Sequence, residues 1–380
     1  MKSTFVDRFK SGKTRQETTS QAATIHSAGV SNYIMKKPNW QIKFRDLPEI
    51  PLFKKWSDGN KMTVEQSISF KLLNRQPISK KEEDIFNGLT SFYSKLNNRL
   101  LTLDYKSFSK NDFENFKDYI FYAFNYIALI SNDLTIFQTY RLVVNEWVTG
   151  KNEPITDTTY LKYPSLDVVK KADKFNRANT PNTNVFYSTE NIDTALKEIR
   201  PPLNKLVTVG VWKPNTNKKF ISYPISHNIA IPVNEHVEKA TNAFEELGNY
   251  NSSLFHNYMR YYFQLFGSEF TKQVNHHYEY YISALFSERI FDTLHDPNAD
   301  FNYDCIIYPS VGNGYGTSNV AIRPSVIDND FYLEKVIEFE VIKDLYDKPY
   351  VLTRPEIITL GRVNNIRVTN KIDKKGNISW

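Results

Sequence analysis

The 380 residues, 41% hydrophobic and 14% aromatic with only 13 Gly and 17 Pro, can bury a sizeable core, which excludes a disordered, collagenous or staple-dependent chain. The formal charge of +6 invites a polyanion-binding function. Residues 1–61, however, hold twelve Lys/Arg against five acids, and the rest of the chain is close to neutral, so any nucleic-acid role is confined to residues 1–61.

In chain order, residues 1–37 are rich in Ser, Thr, Gln and Lys and read as a flexible or loosely docked arm, punctuated onward by Pro38, Pro48 and Pro51. The arm has no apolar run of the kind a secretory signal needs. Thr63 with Gln66 and Ser79 with Glu82 have capping-box spacing, in which each side chain satisfies the other's orphan backbone donor. Ile85, Leu89, Phe92, Leu96 and Leu100 then recur at helical steps and lay one apolar stripe. Phe113, Phe116, Ile120, Phe124 and Ile127 predict a further helix. The most apolar stretch, Tyr119 to Ile130, is too short to span a bilayer, and no membrane partner is expected.

Beyond Ser131 strand-like runs are predicted at Thr139–Val144, Asn184–Tyr187, Leu206–Trp212, Lys219–Tyr223, Cys305–Tyr308 and Val320–Ile322, with helices at Asn191–Arg200, Val237–Leu247, Ser253–Phe266 and Tyr278–His295. The tail from Tyr332 to Val368 alternates as strands do, with a turn at Asp347–Lys348–Pro349. Strands and helices do not alternate regularly, so the fold class is α+β and a doubly wound parallel sheet is disfavoured. The expected division is a basic arm and linker over 1–61, a helical region over 62–133, a catalytic domain over 134–330 with a helical insertion at about 225–300, and a β-rich extension over 331–380.

Asp296, Asn298, Asp300, Asn302 and Asp304 resemble a calcium loop, but Phe301 stands where the turn glycine belongs and Ile307 where a bidentate Glu belongs. Gly312, Gly314 and Gly316 follow a strand-like run, yet the spacing is not that of a phosphate-binding loop and strand-like residues follow. The seven histidines form no H-E-x-x-H, and G-x-S-x-G is absent. The lone Cys305 excludes an intrachain disulfide and a multi-cysteine zinc site and suits a reducing cytoplasm. No metal is expected.

What remains is distributed: Tyr140-Arg141 in a strand, Asn176-Arg177-Ala178-Asn179 ahead of Val185-Phe186-Tyr187-Ser188, Thr194-Ala195-Leu196-Lys197-Glu198 on a helix, then Tyr308-Pro309-Ser310-Val311 and Ser318-Asn319-Val320-Ala321. In order and character these residues resemble the RES domain family, over about Tyr140 to Ile327. The chain departs from it where many members have Gly-Arg-Trp and this one has Asn176-Arg177-Ala178, and in the long stretch between Glu198 and Ser310. The resemblance implies an ADP-ribosyltransferase-like split mixed β-sheet core preceded by a helical N-terminal layer. It also implies an NAD-consuming, toxin-like enzyme held by a cognate antitoxin. Carried residue by residue, it makes Glu198, Arg177 and Ser310 catalytic, and Arg141, Arg177, Tyr187, Tyr140, Ser310 and Asn319 NAD-binding.

The side-chain chemistry suits those roles. A guanidinium pairs bidentately with pyrophosphate oxygens, as expected of Arg141 and Arg177. Cleaving the nicotinamide–ribose bond develops oxocarbenium-like charge that a carboxylate such as Glu198 stabilises. Tyr187 can stack on the cationic nicotinamide ring. Water or inorganic phosphate as acceptor makes the enzyme a glycohydrolase or phosphorylase; a protein acceptor makes it a mono-ADP-ribosyltransferase. A non-catalytic nucleic-acid- or partner-binding protein is the alternative from another class.

Overall fold

The computed structural model describes residues 48, 71, 76–123, 132–226, 234–250, 253–293, 302–343 and 363–380. In chain order they form α1 (Lys80–Leu100), α2 (Lys110–Ala123), β1 (Asn132–Leu134), β2 (Thr139–Val144), α3 (Asn145–Thr149), α4 (Leu166–Ala172), β3 (Phe186–Thr189), α5 (Ile192–Ile199) and β4 (Leu206–Pro214). There follow β5 (Phe220–Pro224), α6 (Glu235–Tyr250), α7 (Ser253–Thr271), α8 (Tyr281–Glu288), β6 (Cys305–Pro309), β7 (Ser318–Ile322), α9 (Pro324–Asp330), β8 (Phe331–Val341) and β9 (Val363–Thr369). The basic arm, the Thr63–Gln66 box and the Asp347–Lys348–Pro349 turn lie outside the described residues, as does most of the calcium-like run. No helix among the described residues is long and apolar enough to cross a membrane.

The chain divides into a helical unit, residues 1–132, 175–180 and 224–303, and a sheet unit, residues 133–174, 181–223 and 304–380. The expected insertion at 225–300 is thus grouped with the N-terminal helices. In the helical unit α1 starts at a complete capping box: Ser79 Oγ accepts from Glu82 N at 3.3 Å while the Glu82 carboxylate accepts from Ser79 N at 2.7 Å. Its buried stripe, Phe86, Leu89, Phe92, Tyr93, Leu96 and Leu100, packs on α7, where the Tyr258 ring lies 4.8 Å from Phe86 and 5.7 Å from Tyr93. Phe113 and Phe116 of α2 meet Tyr281 of α8 at 4.8 and 5.7 Å. The predicted Tyr278–His295 helix is divided into a 3₁₀ turn, α8 and a π-helical turn, Arg289–Thr293.

The sheet unit carries nine strands in the order β1-β5-β6-β7-β3-β2-β4-β8-β9, antiparallel in every pairing whose register is defined. β8 pairs with β4 along its length, from Leu206↔Glu340 to Pro214↔Phe331. The tail is therefore part of the central sheet rather than an appended layer. β2 pairs with β4 over all six of its residues but meets β3 at one, Tyr140↔Thr189, so the sheet is nearly parted between β2 and β3.

Strand alternation gives each face its own core. One holds Val143, Phe186, Trp212, Ile307, Val320 and Ile322. The other holds Tyr140, Leu142, Val144, Val207, Val209 and Val211, covered by Ile192, Ala195 and Leu196 of α5 at the three- and four-residue steps of one helical face. Glu338 of β8 is fully buried and is satisfied by Asn145 Nδ2 at 2.9 Å, Thr208 Oγ1 at 3.2 Å and an ion pair to Arg367 of β9.

Candidate functional site

Glu198 sits in the last turn of α5. Asn191 begins that helix, its Oδ1 accepting from Thr194 N at 2.8 Å. The helix ends where Arg200 turns left-handed, φ 48°, before Pro201 and Pro202. An anion here faces the negative end of the helix dipole and needs donors from elsewhere.

The segment between β6 and β7 supplies them. Glu198 Oε1 accepts from Ser310 Oγ at 2.5 Å, Gly312 N at 3.0 Å and Asn319 Nδ2 at 3.0 Å. All three donors are neutral. Among the described residues Oε2 has no hydrogen-bond partner, and no Lys or Arg pairs with the carboxylate.

The segment is built to reach the helix. Ser310 N donates to Thr317 O at 2.8 Å, Tyr315 N donates to Ser310 O at 2.7 Å, and Asn313 N donates to Ser310 Oγ at 3.2 Å. Gly314 and Tyr315 turn the chain with φ of 57° and 68°. A Cβ on Gly312 would stand 2.6 Å from Lys197 O and 3.0 Å from Glu198 N, so only glycine brings the backbone this close. Further clasps join Thr194 Oγ1 to Thr317 Oγ1 at 2.7 Å, Asn313 Nδ2 to Thr317 Oγ1 at 2.9 Å, and Lys197 Nζ to Asn313 Oδ1. Burial holds the Lys197 ammonium below its ordinary range against the opposing pull of Asp193.

Asn319 belongs to a row crossing the sheet. The register aligns Tyr140, Thr189, Asn319 and Tyr308 on β2, β3, β7 and β6, which puts their side chains on one face, and Tyr187, two residues before Thr189, shares it. Tyr140 is buried and its hydroxyl accepts from Gln138 Nε2 at 2.6 Å. Arg141 leaves β2 on the opposite face, over the Phe186 ring at 5.6 Å, with Nη1 donating to Tyr187 O at 3.2 Å where the β2–β3 ladder has stopped. Its Nε is buried without a hydrogen-bond partner, and burial lowers its pKa to about 10 against a raising contribution from Tyr187. Arg177 belongs to the helical unit. Its guanidinium donates to Phe270 O at 2.5 Å and Lys272 O at 3.3 Å, at the C-terminal end of α7, and lies 4.8 Å over the Tyr280 ring.

Of the expected residues, then, Glu198, Ser310 and Asn319 are in direct contact, Tyr140 and Tyr187 share the sheet face of Asn319, and Arg141 leaves from the other face. Compared with protein-family models, curated proteins and solved structures, the chain matches none of them.

Thr194 and Lys197, quoted above within the helix motif, and Gly312, weighed above as a phosphate-loop glycine, had no site role assigned from the sequence, and Asn313 and Thr317 were not singled out. Nor was Glu190, whose Oε2 accepts from Ser318 N at 3.1 Å. For the close approach of loop and helix the signal in the sequence was Gly312, the first glycine after Ser310. A glycine required by close approach is indistinguishable in sequence from one required by a turn.

Proposed function

We propose that the Glu198 centre cleaves the nicotinamide–ribose bond of NAD. The observation that carries this is the state of the carboxylate: one oxygen is fixed by three neutral donors, and the other has no hydrogen-bond partner among the described residues. Fixed dipoles orient the charge without neutralising it, so it is ready to stabilise positive charge developing at a sugar carbon without reorganising. Ser310 and Asn319 hold Glu198, and Tyr187 and Tyr140 line the same sheet face for the nicotinamide. The leaving pyridine is already cationic, so its departure as neutral nicotinamide requires no general acid.

The resemblance gives the pyrophosphate contact to Arg141 and Arg177, each of which already donates to backbone carbonyls, Arg141 to Tyr187 O and Arg177 to Phe270 O and Lys272 O. The resemblance to RES domains, to an ADP-ribosyltransferase-like split sheet and to antitoxin-held toxins of the cytoplasm points the same way. We favour water or inorganic phosphate over a protein side chain as acceptor.

A second function is favoured by the loop itself. The same three bonds, with the close approach of Gly312, make Glu198 a staple for residues 310–319 in a catalytically silent, partner-binding protein. Chromatography of NAD incubated with the full chain, with and without phosphate, separates these. Cleavage yields nicotinamide with ADP-ribose, or with ADP-ribose 1-phosphate when phosphate is present. Intact NAD under both conditions refutes the proposal and leaves the staple.

A further inference from the structure

Lys197, the residue before Glu198 in α5, is only 5% exposed. A buried ammonium is costly unless it is paired and hydrogen-bonded, and a methionine would fill the same space without that cost. Its use is visible in the bonds that leave it. Nζ donates to Asn313 Oδ1, and Asp193, one turn earlier on the same helical face, lends the opposing charge. An ammonium can only donate, so it fixes the orientation of what lies beyond. With Oδ1 turned to Lys197, Asn313 presents Nδ2 to Thr317 Oγ1 at 2.9 Å. Thr317 Oγ1 lies 2.7 Å from Thr194 Oγ1, whose own proton goes to Asn191 Oδ1 at 2.8 Å, so the proton between the two threonines is that of Thr317. The chain ends on the oxygen that also accepts from Thr194 N and starts α5. It runs one way, from a group that only donates to an oxygen that only accepts, and ties Asn313 and Thr317 to both ends of the helix.

A second branch leaves Asn313 for the carboxylate. Asn313 N donates to Ser310 Oγ at 3.2 Å, and Ser310 Oγ donates to Glu198 Oε1 at 2.5 Å, beside Gly312 N at 3.0 Å. We propose that Lys197 is the positioning residue of Glu198: its ammonium locks the Asn313 amide, and through it the Ser310 and Gly312 donors, onto the carboxylate. Without the cation nothing holds Oδ1 toward the helix, and reversal of the amide turns Nδ2 away from Thr317 and breaks the chain. The positioning stands whatever reaction Glu198 performs; its effect on turnover rests on the cleavage of NAD proposed above.

The test is amide hydrogen exchange in the full chain labelled with ¹³C-carbonyl valine and ¹⁵N-glycine. Only Gly210 and Gly312 follow a valine, so two coupled signals remain, and Val311→Ala identifies that of Gly312 by its loss. Gly312 reports the contact with Glu198, and Gly210, in the central strand β4, reports the sheet. Lys197→Met removes the cation, whereas Asn313→Ala keeps it and cuts its link to the loop. Each variant is expected to speed exchange at Gly312 about tenfold, the loss of one hydrogen bond's worth of docking, and to leave Gly210 within about twofold of wild type. The double variant should add nothing to either single one, because the two residues act as a unit. In nicotinamide release from NAD, both single variants should lower kcat about tenfold with KM within about twofold, since a misplaced carboxylate weakens the transition state and not substrate binding. Wild-type exchange at Gly312 in Lys197→Met overturns the proposal. So does a Gly312 signal moved by Lys197→Met but not by Asn313→Ala, which would show that the charge acts without the loop, and so do additive effects in the double variant. If wild type leaves NAD intact, the cleavage reading fails and exchange alone decides the positioning; if wild type cleaves NAD while exchange at Gly312 is unchanged in both variants, the positioning alone fails.

Discussion

Gly312→Ala tests the geometry around Glu198 without presupposing a reaction. The new Cβ would stand 2.6 Å from Lys197 O, 2.8 Å from Lys197 C and 3.0 Å from Glu198 N. All three are backbone atoms of α5, which cannot rotate away as a side-chain end can. Restoring an ordinary 3.4 Å contact from 2.6 Å requires the loop to retreat by about 0.8 Å. The Gly312 N to Glu198 Oε1 bond, now 3.0 Å, is then stretched beyond hydrogen-bonding reach. Overpacking costs about 1–3 kcal/mol, and a hydrogen bond to a charged group contributes about 1.5–3 kcal/mol. The two overlap, because the retreat that relieves one causes the other. A destabilisation of about 3 kcal/mol is expected, which at a guanidinium m-value of about 4 kcal/mol/M lowers the unfolding midpoint by about 0.75 M. Equilibrium denaturation followed by circular dichroism measures this. Gly88→Ala is the opposite control: nothing lies within 4 Å of its added methyl in α1, and it should stabilise by about 1 kcal/mol. A Gly312→Ala midpoint within about 0.1 M of wild type would refute the close approach of loop and helix.

Three other outcomes are expected. Ser310→Ala removes the 2.5 Å bond to Glu198 and should cost about 1.5–3 kcal/mol of stability, read by the same denaturation, with a parallel loss of NAD turnover. Arg367→Ala deprives the fully buried Glu338 of its half-exposed cation while Asn145 and Thr208 still donate to it; a drop of about 1–3 kcal/mol is expected, and Glu338→Gln in the same background should recover part of it. Glu269, 1% exposed and paired with Lys272 at 2.6 Å, has its pKa raised by burial above the ordinary 4.5, with Lys272 and Arg177 opposing. Its native form therefore holds the proton more tightly than the unfolded chain does. The stability this adds is complete below pH 4.5 and is lost as pH rises through the native value. Melting temperatures of Glu269→Gln relative to wild type should consequently be more favourable at pH 7 than at pH 4, and a difference independent of pH would contradict the assignment.

Elements whose signal is local were legible from residue pattern alone. The Ser79–Glu82 box fixed the start of α1, Asn191 and Pro201 bracketed α5, and strand-like runs placed β2, β4 and β6 close to their observed limits. Short elements stabilised by long-range packing were not, among them β1, α3 and α4. β3 begins at Phe186 rather than Asn184, because pairing with β7, not propensity, sets its limits. The assignment of the tail to the central sheet was equally hidden, since only the β4–β8 ladder creates it. At the site, the contact of Glu198 with Ser310 and Asn319 joins residues more than a hundred positions apart, and residue order could suggest it only through a family resemblance. Alternation does put Arg141 and Tyr140 on opposite faces, but which face receives α5 depends on tertiary packing.

The most direct test of Glu198 as the catalytic carboxylate is nicotinamide release from saturating NAD by full-length wild type and Glu198→Gln at matched concentration, with equal unfolding midpoints establishing that both are folded. The amide oxygen of glutamine can still accept from Ser310, Gly312 and Asn319, so the fold is kept while the charge is removed. Removing that electrostatic stabilisation should slow wild-type release by about 10²–10³-fold. Release by Glu198→Gln at the wild-type rate, or its absence from wild type itself, would contradict the assignment.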